Sequence, residues 1–208
     1  TLALATTLIA QPRGSPQILA DATVISDVVN ILGESSDGHY GSNEPPPNGI
    51  TEQYVIHATG SVNIPTAGFY TFGLNSDDGG RIRIGVAHVM VDDSNHGPLD
   101  HVGSVNLSAG LHTFDVIMWE ASGGDEVEFY AGAGVFAGWD PGMRLVGDTA
   151  SGGLAAFTVA SGPGSNVIAT NIQSVMRNVN ATGYFRVPFT ASGPGAFTSL
   201  SLKMRYND

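Results

Sequence analysis

Two adjacent carboxylates in a glycine-rich turn are the residues of this sequence best suited to chemistry. Asp77 and Asp78 lie between two segments that favour β-strands and are followed directly by Gly79 and Gly80. The glycines give the backbone freedom to turn both carboxylates toward one point. That arrangement suits calcium, which takes about six to eight oxygen ligands and, when not fully enclosed by protein, can also accept sugar hydroxyls. A solvated hairpin turn is the alternative interpretation, because Asp-Gly is a common turn signal.

A second group of metal-ligand types follows within ten residues. Two histidines and three aspartates lie between residues 92 and 101. Imidazole and carboxylate groups are zinc ligands, so Asp92, Asp93 and His96 form an alternative candidate metal site. Their spacing matches no zinc signature, and a polar structural turn explains the same residues.

The sequence gives little support for catalysis, and we assign no catalytic residue. It contains no Gly-x-Ser-x-Gly, no His-Glu-x-x-His, no phosphate-binding loop and no cysteine. Glycoside hydrolysis needs two carboxylates that flank a bond, about 5 Å or more apart. Adjacent aspartates in one turn are more naturally ligands, so the prediction is a protein that is not an enzyme.

Composition favours an all-β protein. The 208 residues include 28 Gly and 11 Pro, and only 13 % are charged. These values are typical of many short strands and tight turns rather than of helical bundles. The lack of cysteine excludes disulfides and thiolate metal sites.

Charge is distributed unevenly along the chain. The net charge is −11, and residues 1–148 carry four arginines against eighteen acidic residues, whereas 149–208 carry four basic residues against one acidic residue. An acidic body repels phosphate groups, so we expect no nucleic-acid partner. No stretch approaches the roughly 20 apolar residues of a membrane span, so we expect no membrane insertion.

Periodicity predicts one helix near the N-terminus and a series of strands. Residues 1–9 alternate in a way typical of a β-strand. Asp21 is a good N-cap for an amphipathic helix over residues 22–32, which would end at Gly33. The predicted strands cover residues 50–58, 60–64 and 69–75, a hairpin with Ile82, Ile84, Val89 and Val91 facing inward, a central strand at 111–120, and a strand at 126–131 with one solvent-facing side.

The order of these motifs resembles a known family. The aromatic strand that begins at Phe69 leads into Ser-Asp-Asp-Gly, then into Val-Asp-Asp at residues 91–93, Ala-Gly-Leu-His at 109–112 and a strand ending at Glu120. This run resembles the protective-antigen-type family, PA14, over about residues 22–148. The resemblance implies an antiparallel β-sandwich in an extracellular or cell-surface protein. In sugar-binding members, two consecutive aspartates joined by a cis peptide hold calcium, and Asp77 and Asp78 fall on that pair.

The resemblance also implies a second binding loop within residues 131–142. Its candidate residues are Trp139, as an aromatic platform, and Asp140. The expected metal ligands are therefore Asp77, Asp78 and Asp140, and Arg81 and Trp139 complete the expected ligand-binding set. The predicted function is non-catalytic, calcium-dependent binding of carbohydrate or surface glycan by an adhesin-like module of a larger surface protein.

Residues 149–208 differ in composition from the rest of the chain. Ala-Ser-Gly-Pro-Gly occurs at 160–164 and again at 191–195. We interpret this region as a linker and a partial second β module, separate from a first domain at 1–148. An unpaired sheet edge recruits another strand, which suggests an alternative function as a structural subunit of a filament or surface layer. Residues 1–9 would donate the strand, giving a homo-oligomer through 1–9 and 149–208.

Overall fold

A computed structural model describes residues 1–33, 38–46 and 49–158, and this part of the chain forms two antiparallel β-sheets and one short N-terminal helix. The predicted fold class is confirmed. None of the described helices is long and apolar enough to cross a bilayer. The elements are α1 Leu2–Ile9, β1 Asn30–Leu32, β2 Tyr54–Ile64, β3 Gly68–Asp77, β4 Gly80–Ile84, β5 Ala87–Asp92, β6 Leu99–Leu107, β7 Gly110–Glu120, β8 Glu126–Ala133, β9 Arg144–Leu145 and β10 Ala156–Phe157, with a 3₁₀ turn at Thr149–Ser151.

The chain crosses between the two sheets at the Asp77–Asp78 pair. The first sheet has the order β1-β8-β3-β6, with β9 also pairing with β8, and the second has the order β10-β2-β7-β4-β5. The β3–β4 connection therefore passes from the first sheet to the second. The β7–β8 connection passes back, and it begins at Glu120. Since Gly80 of β4 pairs with Met118 of β7, both crossings lie at the same end of the molecule.

The hydrophobic core lies between the sheets. Strand β7 is central, as predicted, because it pairs with β2 on one side and with β4 on the other. Burial of the large apolar side chains between the two sheets supplies most of the stabilisation of such a fold. The core residues with 2 % exposure or less include Val62, Ile64, Phe72, Leu74, Ile82, Ile84, Val116, Met118, Val127 and Phe129.

The prediction of a strand at residues 1–9 was wrong, because this segment forms α1. The Thr1 side chain caps the helix by accepting a hydrogen bond from the Leu4 backbone N–H. Leucine and alanine dominate the segment and are strong helix formers. Ala5 is 1 % exposed and belongs to a small cluster with Ile117 and Trp119 on β7. A strand donated to another subunit by this segment therefore has no basis in the structure.

The predicted helix over residues 22–32 was also wrong. Residues 22–29 have no regular secondary structure, and 30–32 form β1, which pairs with residues 126–128 of β8. Val24 and Ile25 are 62 % and 84 % exposed, whereas Val29 and Ile31 pack against the core, so the buried residues do not follow the spacing of a helical stripe. The segment is rich in β-branched residues, which favour extended structure, and strand β8 offers an edge for it to pair with.

Three strand predictions need smaller corrections. The segments 50–58 and 60–64 are one continuous strand, β2. Val91 is 56 % exposed and Met90 points inward instead, next to an irregularity in the β4–β5 register. Strand β8 has no solvent-facing side over residues 126–131, because Glu126 and Glu128 are both buried.

The described part of the chain continues ten residues past the predicted first domain. Strand β10 pairs with β2, so residues 156 and 157 belong to the second sheet. Residues 159–208, which carry most of the predicted partial β module and the repeated pentapeptide, lie outside the described residues.

Candidate functional site

Three buried carboxylates meet where the chain crosses between the sheets. Asp77 ends β3, Asp78 follows it, and Glu120 ends β7. Each offers an oxygen atom that lies within 4.8 Å of the others. The three residues are 4 %, 1 % and 3 % exposed, respectively. The Asp77–Asp78 peptide bond is cis, in agreement with the expectation from the family resemblance. We call Asp77, Asp78 and Glu120 the carboxylate cluster.

Two backbone amides hold the Asp78 side chain. Oδ1 accepts a hydrogen bond of 2.8 Å from the His96 N–H, and Oδ2 accepts one of 2.9 Å from the Ala121 N–H. The first amide lies after β5 and the second starts the β7–β8 connection. Asp78 therefore ties two loops to the β3–β4 crossing, rather than lying on an exposed turn.

The two glycines after the aspartates are required for space. Neither has a positive φ. A Cβ on Gly79 would lie 2.7 Å from the Asp92 carbonyl oxygen, and a Cβ on Gly80 would lie 2.7 Å from the Ile117 carbonyl oxygen. The close approach of backbone to backbone, and not turn flexibility, explains these glycines.

Glu120 is buried without a side-chain donor or a cation beside it among the described residues. Both carboxylate oxygens are inaccessible to solvent, and no side chain of the described residues donates a hydrogen bond to them. The Asp78 backbone N–H lies near the Glu120 carboxylate and lowers its pKa slightly, but it does not make a well-formed hydrogen bond. In this part of the chain, no arginine forms an ion pair with Glu120, Asp77 or Asp78. A buried carboxylate without a partner is unfavourable unless a proton or a cation neutralises it.

The electrostatics of the cluster follow from burial and from mutual repulsion. Burial and the charges of Asp78, Asp77 and Asp125 raise the pKa of Glu120 to about 8. Burial and the charge of Asp78 raise the pKa of Asp77 to about 6. Asp125 is itself fully buried and accepts a hydrogen bond of 2.9 Å from the Tyr54 hydroxyl. Burial and repulsion thus disfavour the ionised forms of Glu120 and Asp77 unless a positive charge is present, and carboxylate oxygens are the ligands that a hard cation such as calcium prefers.

A second cluster combines one carboxylate with two imidazoles. Asp92, His96 and His101 each place one ligand atom within 4.8 Å of the others. The His96 Nε2 atom lies 2.6 Å from Asp92 Oδ2, and the His101 Nδ1 atom lies 3.9 Å from the same oxygen. We call these three residues the histidine cluster. The predicted ligand Asp93 is not part of it, since its carboxylate accepts a hydrogen bond from the Leu2 N–H.

A surface groove with aromatic walls lies beside β1 and β9. Its volume is about 750 Å³, and its lining includes His39, Tyr40, Trp139 and Arg144. The Trp139 and His39 rings stack with centroids 4.0 Å apart, and Trp139 Nε1 donates a hydrogen bond of 3.2 Å to the Tyr40 hydroxyl. Buried Glu128 fixes this wall, because it accepts hydrogen bonds from the backbone N–H groups of His39 and Tyr40.

The remaining predicted ligands lie elsewhere. Arg81 forms an ion pair of 2.6 Å with Asp115 on β7, so its charge is already matched. Asp140 accepts a hydrogen bond of 2.7 Å from the Gly142 N–H, and it belongs to neither cluster of metal-ligand types in the described residues.

Sequence reasoning missed Glu120 and His39 as site residues. It included His101 in the group at residues 92–101 but did not choose it as a ligand. Glu120 had a usable signal, because it directly follows the apolar run Val-Ile-Met-Trp at residues 116–119. His39 gave none, since it lies 100 residues from Trp139 in a loop.

Comparisons with known proteins identify a family and several similar structures. The PA14 domain family matches residues 25–140 of the chain. No curated protein matches. A PA14 sugar-binding domain from an RTX adhesin is 21 % identical, with a TM-score of 0.46, over 66 % of this chain and 82 % of that chain. The PA14 domain of the MpAFP antifreeze protein is 25 % identical, with a TM-score of 0.42, over 63 % and 70 % of the two chains.

Longer proteins contain similar regions. An anti-sigma factor domain-containing protein from Clostridium clariflavum is 19 % identical over 59 % of this chain, with a TM-score of 0.46. The chain spans about two fifths of the length of that protein, since the match covers 41 % of it.

Proposed function

The chain belongs to the PA14 domain family, and from this premise we propose that it is a non-catalytic carbohydrate-binding module of a secreted or cell-surface protein, in which Asp77, Asp78 and Glu120 hold calcium. The observation that carries the calcium assignment is the Glu120 carboxylate, which is buried against the aspartate pair and has no side-chain hydrogen-bond donor or cation beside it among the described residues. Calcium would supply the positive charge that this cluster lacks.

The three carboxylates also fit calcium better than a softer metal. All of the ligand atoms that they offer are carboxylate oxygens, and hard cations prefer such ligands. Asp78 is oriented by two amides, which leaves the outer lone pairs of its oxygens available. Calcium would therefore hold the β3–β4 connection to the β7–β8 connection.

We assign sugar contact to the groove beside Trp139, because the carboxylate cluster is at most 4 % exposed. An aromatic wall with a few polar groups is a common way to bind a ligand that has both apolar and hydroxyl-bearing faces. Tyr40 and Arg144 supply hydrogen-bonding groups next to the Trp139 ring.

A short chain of contacts relates the groove to the carboxylate cluster. Asn75 lies two residues before Asp77 on β3, so the two side chains lie on the same side of the strand. The Asn75 Nδ2 atom lies 3.1 Å from His39 Nε2, and His39 stacks on Trp139. Calcium bound at Asp77 would hold this end of β3 and thereby the wall of the groove.

Binding without catalysis agrees with the geometry. Asp77 and Asp78 are consecutive and enclosed, so they cannot lie on opposite faces of a glycosidic bond. Extracellular or surface placement follows from the sugar-binding members of the family that the sequence resembles.

The experiment is a glycan array followed by calorimetry on any glycan found, first with calcium and then with excess chelator. We expect calcium to bind the wild type and Glu120→Gln to lose most of that affinity, because the amide has no negative charge. Glu52→Gln, which changes an exposed acid, is the matched control. Equal calcium affinity in the wild type and in Glu120→Gln would contradict the calcium assignment. Glycan binding that persists unchanged in chelator would contradict calcium dependence.

A further inference from the structure

The histidine cluster has a geometry close to that of a metal site. A tetrahedral zinc ion, with ligand bonds of about 2.0–2.2 Å, places its ligand atoms roughly 3.3 Å apart. The two distances from Asp92 Oδ2, 2.6 Å to His96 Nε2 and 3.9 Å to His101 Nδ1, lie on either side of that value. Side-chain movements of less than 1 Å would bring both of these distances to the spacing that zinc requires, and all three ligand atoms already lie within 4.8 Å of one another.

Neighbouring groups already orient two of the three side chains. His96 Nδ1 donates a hydrogen bond of 2.7 Å to the Gly97 carbonyl oxygen, which directs Nε2 toward Asp92. Metal-bound histidines generally donate their other ring N–H to a carbonyl or a carboxylate in this way. The Asp92 Oδ1 atom accepts hydrogen bonds from the Ser94 hydroxyl and backbone N–H, which leaves Oδ2 to face both imidazoles.

His101 provides an independent observation. Its Nδ1 atom is inaccessible to solvent and has no hydrogen-bond partner among the described residues. The ring lies 5.4 Å from that of His96, centroid to centroid. In the neutral imidazole tautomer that is unprotonated at Nδ1, this nitrogen has a lone pair that no described residue uses and that is available to a metal ion.

We propose that Asp92, His96 and His101 form a binding site for a divalent transition metal ion, with zinc as the reference ion. Two imidazoles and one carboxylate favour zinc and its neighbours in the first transition row over calcium or magnesium. Binding replaces the proton shared by His96 Nε2 and Asp92 Oδ2, and that proton leaves to solvent. The side chains are 13 %, 15 % and 31 % exposed for Asp92, His96 and His101, so the ion keeps an open position for water or for an external ligand.

The histidine cluster shares no ligand side chain with the proposed calcium site, but the two sites are adjacent. His96 contributes its side chain to the histidine cluster and its backbone N–H to Asp78 of the carboxylate cluster. The two sites use different ligand types, so each ion has a preferred site. The proposal does not depend on calcium or on sugar binding.

The test is calorimetric titration of the untagged protein with zinc chloride in a buffer that does not bind zinc. We expect one zinc ion per chain in the wild type and an affinity at least about tenfold lower in His101→Ala and in Asp92→Asn. His88→Ala is the matched control, because His88 is exposed on β5 and lies outside the cluster. It should bind zinc as the wild type does. Circular dichroism establishes that each variant is folded, and His101→Gln replaces His101→Ala if the latter is not.

Two further measurements separate this site from the carboxylate cluster. A hundredfold excess of calcium should not displace zinc, and Glu120→Gln should keep the zinc affinity of the wild type. Cobalt should give visible absorption bands of an N/O-coordinated ion, and these bands should weaken in His101→Ala. Unchanged zinc affinity in folded His101 and Asp92 variants would overturn the proposal, as would displacement of zinc by calcium.

Discussion

The backbone N–H of His96 donates a hydrogen bond of 2.8 Å to Oδ1 of Asp78. This bond joins the loop after β5 to the crossing between β3 and β4, and so connects the histidine cluster to the carboxylate cluster. Asp78 also accepts a hydrogen bond from the Ala121 N–H. Its two carboxylate oxygens are therefore the acceptors for two backbone N–H groups, those of His96 and Ala121.

Replacing Asp78 should therefore affect stability as well as metal binding. An asparagine at this position offers one oxygen, so either the His96 or the Ala121 amide faces an NH₂ group and loses its acceptor. We expect Asp78→Asn to lower the free energy of unfolding by about 1–3 kcal/mol. Urea denaturation in the presence of chelator measures this effect without a contribution from calcium. A variant as stable as the wild type would show that these two amides do not depend on Asp78.

The carboxylate cluster should make the metal-free protein less stable at higher pH. The pKa of Glu120 is raised to about 8 and that of Asp77 to about 6, both above the values of about 4 for unfolded acids. The folded state then binds more protons than the unfolded state between about pH 4 and pH 8, so this contribution to stability falls as the pH rises through that range.

Urea midpoints measured between pH 5 and pH 8 in chelator test this expectation. The decline should be smaller in Glu120→Gln, which lacks the group with the largest shift. It should also be smaller with saturating calcium, which neutralises the ionised cluster. The same pH dependence in the wild type and in Glu120→Gln would contradict the assignment.

Gly80 should not tolerate a side chain. An alanine Cβ at this position would lie 2.7 Å from the Ile117 carbonyl oxygen and 2.8 Å from Leu74 Cδ1. We expect Gly80→Ala to destabilise the fold by about 1–3 kcal/mol, because two strands must move apart. Gly138→Ala is the control, since its Cβ would meet no atom within 4 Å. Equal denaturation midpoints for both variants would contradict the packing argument.

Trp139 should contribute to glycan binding. Its ring stacks on His39 at the wall of the groove. We expect Trp139→Ala to weaken the binding of any glycan identified on the array by about tenfold or more, because the aromatic wall is removed. Phe69→Ala, at an aromatic residue that is 53 % exposed on β3, should leave binding unchanged. Equal losses in both variants would show that the groove is not the binding site.

Helix α1 should not tolerate a charged residue at the buried position of Ala5. Ala5 is 1 % exposed and packs in a cluster with Ile117 and Trp119. A carboxylate buried there has no partner, so Ala5→Asp should release the helix and expose Trp119 to water. Tryptophan emission in a Trp139→Phe background measures this exposure as a red shift. Ala3→Asp, at an exposed position of the same helix, should cause none.

Much of the sandwich could be predicted from the sequence, because the signals involved are local. Strand β7 was placed centrally since Phe114, Val116, Ile117, Met118 and Trp119 are large apolar residues that need cover on both faces. The consecutive aspartates and the strands around them also indicated the family. The conformation of the two segments that precede β2 was harder to predict. Residues 1–9 and 22–32 carry weak periodicity, and their conformation depends on which edge or face of the body is free to receive them.

The composition of the sites was decided by tertiary structure. Asp77 and Glu120 are 43 residues apart in the sequence. They meet because β3 and β7 lie in different sheets and both end at the place where the chain passes from one sheet to the other. His101 joins Asp92 because β6 follows β5 along the edge of the sandwich, and not because of any spacing in the sequence. A sequence specifies which residue types are present and where strands are favoured. Contact between residues far apart in the chain depends on strand order and register, which are set by packing of the whole core.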